Sequence, residues 1–255
     1  MVTCLLSFKG AAVSEDDKDS FIDDASSLVQ TFRRNGQIVS ANDIYLFQQD
    51  AVVSYVHAFS ADSLLPQYNN KYVNDRLIRI KENYGLMFSF EVLTNDEEPA
   101  YGFAASSAFI LQWGGASPLR SFDSFEQIPL YMFPYTYHDG YCHNDINFWE
   151  GNYDSIYDIW RRSEIEEERF SDYLALIDSP LSVQGSNVCR RIEALTGKKC
   201  YYHLFSYDNT RYDEKCPSCH SDWVLSEKMF DKFDLRCDKC NIISQKALYD
   251  DASDE

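Results

Sequence analysis

Apolar and polar positions alternate through Val2, Cys4, Leu6 and Phe8, the two-residue period of a strand with one buried face. The period then lengthens. Phe21, Ala25, Leu28, Val29 and Phe32 recur at helical spacing, Ser14-Glu-Asp-Asp17 offers a cap and an acidic first turn, and Asn35-Gly36 ends the run. Two β-rich runs follow, at 44–47 and 52–59, and Gln48-Gln49-Asp50 between them allows a tight antiparallel connection. Val73, Leu77, Ile80 and Tyr84 predict a second helix closed by Gly85, and Leu86, Phe88, Phe90 and Val92 alternate as another strand. The order βαββαβ predicts a ferredoxin-like region over residues 1–95, and the polar stretch 95–99 predicts a boundary.

The middle, residues 96–207, reads as a mixed α/β region with less regular periods. Residues 108–113 predict a strand, Gly114-Gly115 a turn, and 128–137 an aromatic, extended segment interrupted by prolines. Ile156, Trp160, Ser163, Glu167, Phe170, Leu174 and Ile177 fall on one helical stripe, with the acidic run 164–168 at its centre. Ser179-Pro180 is a cap followed by a first-turn proline; Val188, Ile192 and Leu195 continue that helix to Gly197. Residues 200–207 read as a strand leading into the last region. The fold class expected is α+β: a ferredoxin-like half, a mixed middle, a small metal-bound module at 208–247 and an acidic tail at 248–255.

That module rests on four cysteines. Cys216-Pro-Ser-Cys219 and Cys237-Asp-Lys-Cys240 are two C-x-x-C pairs separated by 17 residues, the spacing of a zinc ribbon. Each turn aims two thiolates at one ion, and two turns complete a tetrahedral four-sulfur site. A redox C-x-x-C would be a single pair beside a βαβ unit. Cys216, Cys219, Cys237 and Cys240 are therefore expected to hold one structural Zn²⁺. Residues 223–225 and 233–235 would be the module's strands, with Trp223, Phe230 and Phe233 as its own small core.

Charge changes what such a module is expected to bind. The chain carries 41 acidic and 23 basic residues, a net charge of -18. Nucleic acids and anionic membranes favour basic surfaces, so both are disfavoured as partners. From Cys216 to Lys246, five basic residues meet five acidic ones, and four thiolates around one Zn²⁺ add a formal -2. No apolar run approaches the ~20 residues of a membrane helix. The first eight residues are apolar but lack a basic start, and Cys4, Cys142, Cys189 and Cys200 have no regular spacing. They are read as reduced thiols of a cytoplasmic protein.

A second dense cluster, His138-Asp-Gly-Tyr-Cys-His-Asn-Asp145 with Glu150 beyond it, has the residue types of a catalytic metal or thiol–base site. It lacks H-E-x-x-H or comparable spacing, and Gly140 marks a turn, so it is read as a polar loop. The run 164–168 is read as a solvated face that could also dock a basic partner. Arg161-Arg162 and Arg190-Arg191 are read as solvent-exposed or salt-bridged pairs. Phosphate-loop, dinucleotide and nucleophile-elbow signatures do not occur in the sequence.

Several stretches together carry a family resemblance: Ser179-Pro-Leu-Ser-Val-Gln-Gly185, Cys189-Arg-Arg-Ile-Glu-Ala-Leu-Thr-Gly197, Tyr201-Tyr-His-Leu204, and the cysteine pairs with Trp223, Phe233-Asp-Leu and Asn241-Ile-Ile-Ser244. With Ser117-Pro-Leu and Ile128-Pro-Leu-Tyr131 upstream, residues 105–247 resemble an uncharacterised family of bacterial zinc-ribbon proteins described as nucleic-acid-binding candidates. The resemblance implies the four zinc ligands and no catalytic residue. It also leads one to expect glycine after the second cysteine and a basic residue after the last. Here these are His220 and Asn241, and both departures count against nucleic acid. The function expected is non-catalytic: a zinc-ribbon protein engaging a protein partner, one version being an immunity-type inhibitor of a basic toxin. The alternatives are a nucleic-acid-binding regulator and an enzyme using His138, Cys142 and His143.

Overall fold

The computed structural model describes residues 1–10, 13–41, 44–48, 51–94, 102–207 and 215–246. The boundary read at 95–99 lies outside these residues, as do Gln49, Asp50 and the tail at 248–255. The chain forms two compact units, Met1–Phe103 with Gln127–Asn144, and Ala104–Glu126 with Asp145–Glu255. The middle region is thus shared: 104–126 goes with the second unit and 127–144 with the first.

In the first unit, strand β1 (Val2–Lys9) is followed by helix α1 (Lys18–Arg34) and strands β2 (Ile38–Ala41), β3 (Leu46–Gln48) and β4 (Ala51–Ala58). Helix α2 (Lys71–Tyr84) and strand β5 (Met87–Val92) complete it. The sheet runs β2-β4-β1-β5, with β3 also on β4, and every pairing is antiparallel. Alternation decides the layers. Cys4, Leu6 and Phe8 share one core with Phe21, Leu28 and Phe32 of α1 and Val73 and Ile80 of α2. The ring of Phe88 lies 5.3 Å from Phe8 and 5.4 Å from Phe32, tying β5 to β1 and α1. α2 is closed at both ends. The Asn70 side chain accepts from the Val73 N–H at 2.8 Å, and Gly85, at φ 64, donates its N–H to Lys81. α1 starts later than its cap signal, because a 3₁₀ turn (Glu15–Asp17) intervenes and the Ser14 hydroxyl donates to the Asp17 carboxylate instead of capping.

β2 is an addition to the expected elements. It has four residues, and its register on β4 shifts between Ile38 and Ser40, so it leaves no clean alternation to read. Beside it, Asn35 and Gln37 are fully buried yet paired: Asn35 donates to Gln37 (2.8 Å) and to the Tyr68 carbonyl (2.9 Å), and Gln37 donates to the Ser63 carbonyl (2.8 Å).

The second unit contains strands β6 (Phe109–Leu111) and β7 (Leu119–Ser121), then helix α3 (Asn144–Arg162), whose first residue closes the first unit. Helices α4 (Glu167–Ala175) and α5 (Pro180–Thr196) precede strands β8 (Cys200–His203), β9 (Val224–Met229), β10 (Phe233–Cys237) and β11 (Ile242–Ser244). One six-stranded sheet runs β7-β6-β8-β11-β10-β9. Its central joints are parallel, Ile110 opposite Tyr201 and Ile242 opposite Tyr202.

Two expectations change here. The single stripe over 156–177 is two helices. α3 ends where the Ser163 hydroxyl and N–H both return to the Ile159 carbonyl, and Glu164 and Glu166 take left-handed backbone at φ 54 and 45. Carboxylates are disfavoured at the negative end of α3 and favoured in the first turn of α4, where Glu167 and Glu168 sit. The cysteine-bearing segment also lacks a core of its own. Phe233 and Ile243 pack with Ala108, Ile110 and Tyr201, and Phe122, Phe125, Met229 and Phe230 flank them. Pairing of β11 with β8 makes this segment the edge of the larger sheet.

Candidate metal centre

Each cysteine pair sits on a tight turn, the first ahead of β9 and the second joining β10 to β11. In the first, the Cys216 N–H donates to the Ser221 carbonyl (2.8 Å) and the His220 N–H to the Cys216 carbonyl (2.9 Å). In the second, Cys237 ends β10 and Cys240 precedes β11 by one residue. The residue after each second cysteine is left-handed, His220 at φ 57 and Asn241 at φ 53. Glycine is favoured at such a turn for this reason, and histidine and asparagine are among the side chains that tolerate it.

The four sulfurs lie within 4.8 Å of one another, and Cys219 Sγ is 3.5 Å from Cys237 Sγ. Four sulfurs bound tetrahedrally at ~2.3 Å from one ion would be about 3.8 Å apart, so a small contraction accommodates a metal. Cys216 and Cys237 are buried; Cys219 and Cys240 are half-buried. Burial pushes the Cys216 thiol up to about 12 and raises Cys240, whereas the Ser221 hydroxyl and N–H pull Cys219 down to about 6. Around the turns, Lys239 donates to the Ser221 hydroxyl (2.9 Å). Tyr201 donates to the Asp238 carboxylate (2.6 Å) and Lys199 to the Asp238 carbonyl (2.8 Å). β8 is therefore fastened to the second turn by side chains as well as by its ladder. A site filled by four thiolates leaves no coordination position for a substrate. Such a site holds structure.

The cluster at 138–145 does not converge. Asp139 accepts from the Tyr72 hydroxyl (2.7 Å), the Tyr141 N–H (2.8 Å) and the Cys142 thiol (3.5 Å). These donors, the Tyr141 N–H first, hold its carboxyl below the usual range. His143 is fully buried, 3.3 Å from the Thr136 hydroxyl and with its ring against Tyr135, while His138 lies on Tyr137. Asp145 pairs with Arg191 at 3.3 Å, and Glu150 is half-buried on α3. Among the described residues, Cys216, Cys219, Cys237 and Cys240 form the one group of His, Cys, Asp and Glu close enough for a metal.

Sequence reading missed a set of cations lying on aromatic rings. Arg120 is 5.0 Å above the Phe125 ring, and Lys232 is 5.2 Å from that ring and 5.4 Å from Phe233; Arg236 lies 5.8 Å from Phe122. Burial pushes both Arg120 and Lys232 down. His203 is fully enclosed nearby, and burial, then Lys232 and Arg120, press it down to about 3. No spacing signals this group, because it is assembled from three distant segments.

Among the described residues no helix is long and apolar enough to cross a membrane. Three family profiles match, each over less than half of the chain and each described as a domain of unknown function: DUF8589 over residues 1–94, DUF2310 over 107–205 and DUF8594 over 207–249. None of these descriptions specifies a zinc ribbon or a nucleic-acid partner. Two relatives come from Haemophilus influenzae, both titled "Uncharacterized protein". One is 26% identical over 233 residues, covering 86% of this chain and 88% of that protein. The other is 27% identical over 132 residues, covering 50% of this chain and 64% of that protein. No solved structure matches the chain.

Proposed function

We propose that the chain is a non-catalytic, zinc-stabilised binding protein whose partner is another protein, one version being an immunity-type inhibitor of a basic toxin. Zinc is the ion of choice because four thiolates in tetrahedral spacing suit it and leave no open position. A ferredoxin-like first unit fits the strand order β2-β4-β1-β5 with antiparallel pairing throughout, β3 being an extra strand. A cytoplasmic setting suits Cys4, Cys142, Cys189 and Cys200, four buried thiols that form no disulfide.

The observation that carries the protein-partner reading is the loop between α3 and α4. Glu164 and Glu166 of the loop and Glu167 and Glu168 of the first turn of α4 are exposed on either side of Ile165, which is itself 62% exposed; Glu166 also pairs with Arg169 at 2.9 Å. Left-handed backbone at Glu164 and Glu166 is unfavourable for non-glycine residues. An apolar side chain ringed by carboxylates on an acidic body suits a basic protein surface, which gains steering and complementarity from it. The test compares the wild-type chain with Glu166→Lys/Glu167→Lys/Glu168→Lys as bait in native lysate. A stoichiometric protein captured by the wild type and lost by the variant supports the reading. Capture of no stoichiometric protein overturns it.

A second reading, binding of single-stranded nucleic acid, is favoured by Arg120, Lys232 and Arg236 interleaved with the half-buried rings of Phe122 and Phe125. Cations beside aromatic rings suit phosphates beside stacked bases. A mobility-shift experiment at low salt with DNA and RNA decides it; absence of any shifted band ends this reading.

A further inference from the structure

Two thiols of the second unit lie against one another. Cys189 belongs to α5, and Cys200 opens β8, an inner strand of the six-stranded sheet. They are 5% and 1% exposed. Burial, and then a hydrogen bond to Cys189, hold the proton on the Cys200 sulfur. Both residues also line a cleft of about 320 Å³, whose wall takes in Ser186 of α5 and Ser218 and Cys240 of the cysteine turns.

The pairing follows from how the helix lies on the strand. Gly185 meets Tyr202; further along α5 and further back along β8, Cys189 meets Cys200. Four residues of helix rise about 6 Å and two residues of strand about 6.6 Å, so the two contacts are one step apart on the same pair of faces. At the first contact the helix backbone comes so near that a Cβ on Gly185 would lie 2.2 Å from the Tyr202 ring. The second contact shares that close approach. A disulfide requires it, because bridged Cα atoms lie within about 7 Å of one another.

The bland explanation is that cysteine packs as a small apolar residue. It serves for Cys4, which lies among apolar side chains in the core of the first unit. It explains the burial of Cys189 and Cys200 but not two thiols set sulfur to sulfur on facing elements, nor the opening of both onto one cleft.

We propose that Cys189 and Cys200 are a reversible oxidation site, closed to a disulfide by a hydroperoxide that enters this cleft. Cys189 reacts first, since it is the more exposed of the two and its sulfur accepts the hydrogen bond. Its sulfur attacks a peroxide oxygen and becomes a sulfenic acid; the O–O bond breaks, and the other oxygen leaves with the Cys189 proton as an alcohol or, from hydrogen peroxide, as water. The Cys200 sulfur then attacks the Cys189 sulfur. The S–S bond forms, the S–O bond breaks, and the hydroxyl leaves as water with the Cys200 proton. Two thiols thus give up two electrons and two protons to one hydroperoxide. A dithiol reverses the change by exchange. Hydrogen peroxide is the member of this class small enough to suit sulfurs so nearly enclosed. The inference is independent of the protein-partner reading and of which ion the other four cysteines hold.

The test treats the full metal-loaded chain, reduced and then freed of reductant, with a few equivalents of hydrogen peroxide. Remaining thiols are alkylated under denaturing conditions, and peptides are identified by mass spectrometry. The expected product is one disulfide joining the Cys189 and Cys200 peptides, lost on treatment with dithiothreitol, while Cys4 is recovered alkylated and the metal stays bound. Cys200→Ser is expected to stop at the sulfenic acid, captured on Cys189 by dimedone. Cys189→Ser is expected to leave Cys200 without dimedone over the same time. The wild-type product needs no variant, so it decides the matter where a substitution folds poorly. Recovery of both Cys189 and Cys200 as alkylated thiols would overturn the inference. So would a disulfide from either of them to Cys240 in place of their own, or dimedone on Cys200 as fast as on Cys189.

Discussion

The two sheets of this protein are built on different plans. The first takes its five strands from one stretch of chain, Val2 to Val92, and pairs all of them antiparallel. The second collects six short strands from 109–121, 200–203 and 224–244, and joins them through two parallel ladders on β8. The first depends on alternation and on two amphipathic helices, of which α2 is capped at both ends. The second depends on one central strand, on the close approach of α5 to it at Gly185, and on the cysteine turns at its side. The difference teaches that a four-cysteine segment can serve as one side of a larger sheet, so that an ion held there would support more than the turns that hold it.

Removing the metal should break this comparison most severely. Structural zinc supplies about 10–16 kcal/mol of folding free energy in isolated zinc-finger peptides. Chelation, or Cys237→Ser, is expected to abolish amide protection in β9, β10 and β11 and to lower it in β8, while β1, β4 and β5 keep theirs. Hydrogen exchange with and without chelator reads this, alongside elemental analysis expecting one zinc per chain.

A single methyl group should come next. A Cβ on Gly185 would lie 2.2 Å from the Tyr202 ring and 2.8 Å from Trp149 Nε1, so α5 meets β8 only because this residue has no side chain. Gly185→Ala is expected to cost the second unit about 3 kcal/mol by overpacking. Gly36→Ala probes the first unit, where φ is +79 and a Cβ would lie 2.7 Å from Leu130 Cβ. About 1–2 kcal/mol is expected there, from the left-handed backbone together with a neighbour that must shift. Denaturant melts followed separately in the two units would rank them.

Acid should divide the units more gently. His203 is depressed to about 3 in the folded chain from an ordinary 6.5, first by burial and then by Lys232 and Arg120. A depressed pKa means that the unfolded chain takes up the proton first. The contribution of neutral His203 is therefore present above about 6.5 and is lost as pH falls from there toward 3. Over that window the second unit is expected to lose up to about 1.4 kcal/mol per pH unit relative to His203→Gln, in paired melts at matched metal loading. The smallest effect, and the one of opposite sign, is at the first cysteine turn. His220→Gly is expected to stabilise the metal-bound form by up to about 1 kcal/mol, since glycine suits φ 57 without Cβ strain.

What could be read from the sequence was local. The alternation of Val2, Cys4, Leu6 and Phe8, the caps at Ser179, Gly85 and Gly197, and the proline opening α5 each leave their signal within a few residues, and the structure has them in those roles; the Asn70 cap of α2 was not read. The cysteine spacing was legible for the same reason: each turn is four residues long, and the four sulfurs meet. β2, β7 and β11 were not read: each has three or four residues, whereas β3 and β6, equally short, lie inside longer apolar runs. The break between α3 and α4 was hidden because polar positions happened to continue the stripe, while the Ser163 hydroxyl closed the first helix. Sheet continuity through β8 and the cations on Phe125 both join distant segments, and no window of sequence contains them.

The parallel joint between β8 and β11 has one further consequence. All four residues of β8, Cys200 to His203, are buried between neighbouring strands. A chain without an ion at its four cysteines would bare one side of this strand, which carries Tyr201 and Tyr202, as an unpaired edge, the kind of edge that recruits other chains. Supply of the metal would then govern turnover, by deciding which newly made copies withstand surveillance by proteases and chaperones.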